Sequence, residues 1–182
     1  PVATHGKAFP GISLSASAAE TTSLTYTDDS VGTITYHIDN AGIQIEQLVF
    51  TGTTLQIPAE IDGTPVNSIG SFALSKCTAL ESLTLPDSIT SISFQAFSNL
   101  ENLTAVTLPD SIRSIGNSAF SGCTALTEVR LPKNLRAVED YLFARCTSLK
   151  NVTLPEQPDY LGALAFSNTA LESIDIPASV TS

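Results

Sequence analysis

The sequence predicts an α/β solenoid, a right-handed coil with short parallel strands on one face and a β-hairpin cap at its N-terminal end. Three observations predict it. A Leu-Pro or Ile-Pro pair recurs with its proline at positions 58, 86, 109, 132, 155 and 177. Further columns keep a period of 23: Leu74, Phe97, Phe120, Phe143 and Phe166, and three residues on Cys77, Leu100, Cys123, Cys146 and Thr169. Ahead of the first repeat the pattern changes to strict alternation, Ile34, Tyr36 and Ile38, then Ile43 and Ile45.

Residues 1–24 are rich in Ala, Ser and Thr and read as a linker or a processed N-terminal remnant. Residues 25–68 read as the N-terminal β cap and its lead-in. Asp39-Asn40-Ala41-Gly42 supplies turn chemistry at the hairpin tip, and the hairpin covers the open apolar end of the first repeat. Residues 69–182 read as five repeats of about 23 residues, the last one truncated. Proline 1 and the absence of methionine suggest a mature or trimmed piece, and the end at Ser182 inside a repeat suggests part of a longer array.

Within a repeat, L-x-x-V-x-L places Leu83 and Leu85, or Val106 and Leu108, on one side, which is strand spacing. The proline that follows removes a backbone donor and ends the strand. The A-F-x-x-C-x-x-L stretch has apolar residues three and four apart and predicts one or two tight helical turns. Gly70, Ser93, Gly116 and Gly162 form a small-residue column, broken by Glu139, and predict a positive φ there. One such unit cannot bury its own apolar side chains, so neighbours must stack, each phenylalanine on the next. Each buried ring contributes roughly 1.5 to 3 kcal/mol.

The particular form of the repeat, with Leu-Pro at the strand end, Ser111-Ile112-Arg113-Ser114-Ile115-Gly116 and Ala119-Phe120-Ser121-Gly122-Cys123, resembles the BspA-like leucine-rich-repeat family over about residues 34–182. The lead-in from Ile57 to Val66 is similar too. The resemblance implies a leucine-rich-repeat solenoid in a secreted or bacterial cell-surface protein. It also implies a protein partner, of the class of host extracellular-matrix or plasma glycoproteins. Leu142, Pro158 and Asn99-Leu100 depart from the family pattern and predict local adjustment of the stack.

Composition limits the chemistry. Eight Lys+Arg against 18 Asp+Glu give a net charge of −10, which argues against nucleic acid and anionic membrane surfaces. No apolar run is long enough for membrane insertion. His5 and His37 lack Cys or Glu at zinc spacing, Asp28-Asp29 lacks a calcium-loop pattern, and no cofactor is expected. The cysteines share an inward column with Leu100 and Thr169 and read as small core hydrophobes.

The candidate protein-binding face is formed by the outward strand residues Ser82, Thr84, Ala105, Thr107, Glu128, Arg130, Asn151, Thr153, Ser173 and Asp175. A candidate basic patch holds Arg130, Lys133, Arg136, Arg145 and Lys150, suited to an acidic partner or else a solvated surface that balances nearby acids. The enzyme alternative rests on Asp87 and Asp110, carboxylates at the same register of adjacent rungs, as in a polysaccharide-active site. Asp after Leu-Pro also serves as a turn residue, and no third group converges on the pair. Two readings therefore lead, a non-enzymatic binding module and a structural spacer.

Overall fold

The computed structural model describes residues 23–181. The predicted linker falls almost wholly outside them, as does His5. The strands in order are β1 (Leu24–Asp28), β2 (Gly32–Asp39), β3 (Gly42–Val49), β4 (Thr54–Gln56), β5 (Glu60–Ile61), β6 (Thr64–Ile69) and β7 (Ser82–Thr84). Then come β8 (Ser91–Ile92), β9 (Ala105–Thr107), β10 (Ser114–Ile115), β11 (Glu128–Arg130), β12 (Ala137–Val138), β13 (Asn151–Thr153) and β14 (Tyr160–Leu161).

The N-terminal strands form an antiparallel meander, β1 to β2 to β3, one strand more than a hairpin. Leu24 and Tyr26 alternate onto the core side of β1, a signal too short to read beside a polar flank. The tip is held by Asp39, whose Oδ1 accepts the N–H groups of Ala41 at 2.7 Å and Gly42 at 3.1 Å. β3 then acts as a rung of the coil. It pairs parallel with β6, Gly70 N–H donates to Ile45 O at 2.7 Å, and Leu48 N–H donates to Ala73 O at 2.7 Å. Asp62 and Gly63, at φ 50° and 78°, make the tight turn between β5 and β6 that tolerates positive φ at both places.

Each rung then repeats a three-sided course. The first side is the expected strand, stacked in parallel as β4-β7-β9 and as β11-β13. Its end is set by proline: Thr84, Thr107, Arg130 and Thr153 close their strands two residues before Pro86, Pro109, Pro132 and Pro155. The second side is a ladder the repeat pattern does not announce, β6-β8-β10 and β12-β14, two residues deep at most rungs. Ile92, Ile115 and Val138 point inward from it and are buried.

The third side corrects the α/β expectation, because no helix forms among the described residues. Hydrogen bonds run three residues back, Cys77 N–H to Leu74 O at 2.9 Å and Leu80 N–H to Cys77 O at 3.0 Å, so the segment is a chain of turns. Residues between the bonds take left-handed φ: Phe72 58°, Gln95 51°, Ser118 58°, Tyr141 57° and Leu164 56°. A second set follows at Asn99, Gly122, Arg145 and Asn168. These turns aim N–H groups at the next rung, as in Phe97 N–H to Ala119 O at 2.9 Å and Gly122 N–H to Ala144 O at 2.8 Å. The inter-rung bonds replace helix bonds, and a left-handed L-residue costs about 1 to 2 kcal/mol.

The glycine column does not supply positive φ either. At Gly116 a Cβ would lie 2.7 Å from Phe94 N and 2.8 Å from Ser93 C, and at Gly162 2.4 Å from Asp140 N. Close approach of the preceding rung's backbone, not φ, demands glycine at these places. Ser93 and Glu139 occupy the rungs between.

The core is a continuous column. Phe97, Phe120 and Phe143 are fully buried, and ring centroids along Phe97, Phe120, Phe143 and Phe166 lie 5.1, 5.4 and 5.9 Å apart. The three cysteines are free and buried. Their Sγ–H groups donate to backbone carbonyls of the preceding rung, Cys77 to Leu48 O at 3.4 Å, Cys123 to Phe97 O at 3.2 Å and Cys146 to Phe120 O at 3.1 Å. Cysteine fits this column because it is compact and still carries a weak donor.

Candidate functional site

The parallel register sets the outward residues in two columns. Ser82 lies beside Ala105 and Thr84 beside Thr107, while Glu128 lies beside Asn151 and Arg130 beside Thr153. Leu83 and Val129 point the other way and are buried. Ser82 and Thr84 are half-buried and the six residues from β9, β11 and β13 are exposed. The two columns are interrupted between β9 and β11, where the sheet divides. Ser173 and Asp175 are exposed but do not continue the columns as strand, because the segment around them forms no ladder with β13. A cleft of about 450 Å³ opens between them, lined by Asn151, Thr153, Ser173, Ile174 and Asp175 among others.

The basic residues divide into groups. Arg130 Nη2 donates to both carboxylate oxygens of Asp110 at 3.0 Å, and Lys133 adds its backbone N–H at 3.0 Å and its Nζ at 4.0 Å. Arg136 Nη1 donates to Asp159 Oδ1 at 3.4 Å. Lys133 and Arg136 also share a cleft of about 280 Å³ with Asn134, Glu156 and Gln157. Arg145 stands on the turn corner and Lys150 just ahead of β13, and neither takes part in an ion pair among the described residues. These are bridges from rung to rung, largely exposed, and worth little individually.

Of the two carboxylates at the shared register, Asp110 is the one drawn into an ion pair. The guanidinium of Arg130, with the Lys133 backbone N–H, holds the Asp110 carboxyl below its ordinary value. A general acid needs the opposite, a carboxyl kept protonated near neutral pH. Asp110 is therefore placed as an ion-pair partner. In the cap, His37 Nδ1 lies 3.2 Å from Glu46 Oε1, and Ser23 Oγ–H donates to Glu46 Oε2 at 2.6 Å. Asp28 is taken up by the N–H of Ser30 at 2.8 Å and by its hydroxyl, which lowers the Asp28 pKa. No group of three or more His, Cys, Asp and Glu side chains suited to a metal occurs among the described residues.

The cysteines are placed for packing. Burial pushes the Cys77 thiol up to about 11 and that of Cys146 up to about 12, and Cys123 is raised further for the same reason. Such thiols are not nucleophiles at neutral pH. Sequence reasoning missed the second ladder and the residues of the turn corner, where Phe72, Phe94, Tyr141 and Leu164 are exposed. The corner column runs Phe, Gln, Ser, Tyr, Leu and carries no common residue type to find it by.

A family model described as the BspA type leucine rich repeat region matches residues 67–182 in six copies. Among solved structures, the chain is similar to a leucine rich cell surface protein from Faecalibacterium prausnitzii, with a TM-score of 0.65, 29% identity, and coverage of 87% of this chain and 50% of that one. It is similar also to a leucine-rich repeat protein from Bacteroides capillosus, with a TM-score of 0.53, 27% identity, and coverage of 61% and 84%. The pneumococcal vaccine antigen PcpA shares the fold, with a TM-score of 0.64, 17% identity, and coverage of 86% and 50%. The chain thus spans about half the length of two of these three proteins. No curated protein matches it.

Proposed function

The chain belongs to the BspA-type leucine-rich-repeat family, and from that premise we propose that its array is a protein-binding module of an exported or cell-surface protein, acting in adhesion or host-protein interaction. The observation that carries this reading is the outward columns in two stretches, β7 with β9 and β11 with β13, each held in register by its own parallel ladder, with the residues of β9, β11 and β13 exposed. Side chains fixed on a rigid sheet lose little freedom when a partner docks. The bacterial cell-surface protein with the same fold supports the location. Host extracellular-matrix and plasma glycoproteins are the partner class. No catalytic step belongs to this reading.

The spacer reading draws on a specific observation, the pairing of Arg130 with Asp110, which Lys133 also approaches, and of Arg136 with Asp159. Direct binding to a panel of matrix proteins and plasma glycoproteins, at low and physiological salt, separates the two. Saturable binding that is lost in the double variant Arg130→Glu, Arg136→Glu supports the module and locates its face. The same binding left intact by that variant and by Thr107→Arg and Thr153→Arg refutes the face, and no binding anywhere on the panel favours the spacer.

A further inference from the structure

A second surface lies apart from the strand columns. The left-handed corner sets Phe72, Gln95, Ser118, Tyr141 and Leu164 at successive positions along one edge. The register is fixed by inter-rung bonds, with the N–H of Phe72 on Phe94 O, of Gln95 on Asn117 O, of Ser118 on Asp140 O and of Tyr141 on Ala163 O. Phe72 is 47% exposed, the adjoining Phe94 44%, and Tyr141 45%. Phe72 and Phe94 meet edge to face at 5.4 Å and make one platform, with Tyr141 a second. At roughly 4.8 Å per rung, Tyr141 stands about 10 Å from Phe94 and about 14 Å from Phe72 along the axis.

Backbone preference does not explain the rings of Phe72 and Tyr141. Both are about half exposed, and both occupy a conformation that bulky residues avoid. The sister corner uses Asn99, Gly122 and Asn168, residue types that accept left-handed φ readily, with Arg145 the exception. Between the platforms stands the exposed Asn117, with the half-buried Gln95 on the rung of Phe94, so the apolar surface is broken by amides. Charge is sparse along this edge of a chain whose net charge is −10. Of the carboxylates beside Tyr141, Asp140 is engaged by the Tyr160 hydroxyl at 2.6 Å and by Ala163 N–H at 2.8 Å, and Glu139 is half-buried.

We propose that this edge binds a neutral glycan chain. A sugar ring has an apolar C–H face that lies on an aromatic face, and a rim of hydroxyls that pairs with amides and hydroxyls. Rings separated by uncharged polar groups match that alternation along a polymer. A protein interface asks instead for a continuous apolar centre, and a polyanion asks for a basic track. The proposal is independent of the strand-face reading, because none of its residues belongs to that face.

The test is native affinity electrophoresis of the whole chain in gels containing barley β-glucan, galactomannan or amylopectin, with alginate as the charged control. At least one neutral polysaccharide is expected to retard the chain at least tenfold more strongly than alginate does. Tyr141→Asn and Phe72→Asn are expected to reduce that retention at least tenfold while leaving Tm unchanged or higher, since asparagine accepts this backbone geometry. Arg130→Glu is expected to retain full binding. Absence of retardation by all three neutral polymers overturns the proposal, as does undiminished retention by Tyr141→Asn. A concentration-dependent dimer that Tyr141→Asn disperses in sedimentation would assign the edge to a second copy instead and overturn it too.

Discussion

Replacing Phe120 by alanine tests the column that holds the rungs together. The ring is fully buried and touches two others, Phe97 at 5.1 Å and Phe143 at 5.4 Å. Its burial is worth about 1.5 to 3 kcal/mol, and each ring contact adds about 0.5 to 1.5 kcal/mol. The loss should therefore reach about 3 to 5 kcal/mol, the usual range for Phe→Ala in a core. Phe166 is only half-buried and meets one ring of the column, Phe143 at 5.9 Å, so Phe166→Ala should cost about 1 to 2 kcal/mol. In a solenoid each rung is stabilised by its neighbours, so an interior defect removes two interfaces and a terminal one removes fewer. Urea denaturation followed by circular dichroism, with linear extrapolation, reads both values. Equal losses for the two variants, or a loss below about 1.5 kcal/mol for Phe120→Ala against the core range above, would refute the account of a shared ring column.

The thiols of Cys77, Cys123 and Cys146 should resist iodoacetamide at pH 8 in the native chain and all be labelled in urea; labelling of the native chain at the rate of a free thiol would contradict their placement. Gly116→Ala should destabilise more than Gly63→Ala, by about 1 to 3 against about 1 kcal/mol, because the first pushes a methyl into backbone while the second meets open space and bears only the cost of positive φ. Equal melting temperatures for the two would count against the close approach of rungs. Asp110, whose folded pKa lies below the ordinary value of its carboxyl, contributes stability that is present above that ordinary value and lost as pH falls through the lower folded pKa. Asp110→Asn should therefore show a smaller fall in Tm between pH 5 and pH 2 than the parent chain, and an equal or larger fall would rule the ion pair out as the cause.

The first-side ladder was legible because proline and leucine mark it at every turn: Leu83-Thr84-Leu85-Pro86 and its counterparts leave one strand length and one inward side. The second ladder was not, since Ser91–Ile92 and Ser114–Ile115 are too short to show alternation. The helical expectation failed because spacing of three and four is shared by a helix and by chained turns. What separates them is φ at Phe72, Gln95 and Asn99, and no residue type at those places signals a left-handed turn consistently. The glycine column was seen and given the wrong cause. Its reason lies in the distance to the neighbouring rung, which no single repeat contains. Of the candidate face, the residues of β7, β9, β11 and β13 could be placed by alternation alone, whereas the departure of Ser173 and Asp175 from strand depends on how the chain runs past β13.

That glycine column has a parity. Gly70, Gly116 and Gly162 each lie tight against the backbone before them, and Ser93 and Glu139 occupy the alternate levels with full side chains. The two kinds of rung are then not interchangeable in the stack. Removing the Ser93 level alone would bring glycine to glycine, a harmless junction. Removing the Gly116 level alone would set the Cβ of Glu139 against the backbone of Ser93, in the place where only a hydrogen now fits. An array built this way can lose a level that carries a side chain in this column but not a glycine level, although its sequence counts both as the same repeat.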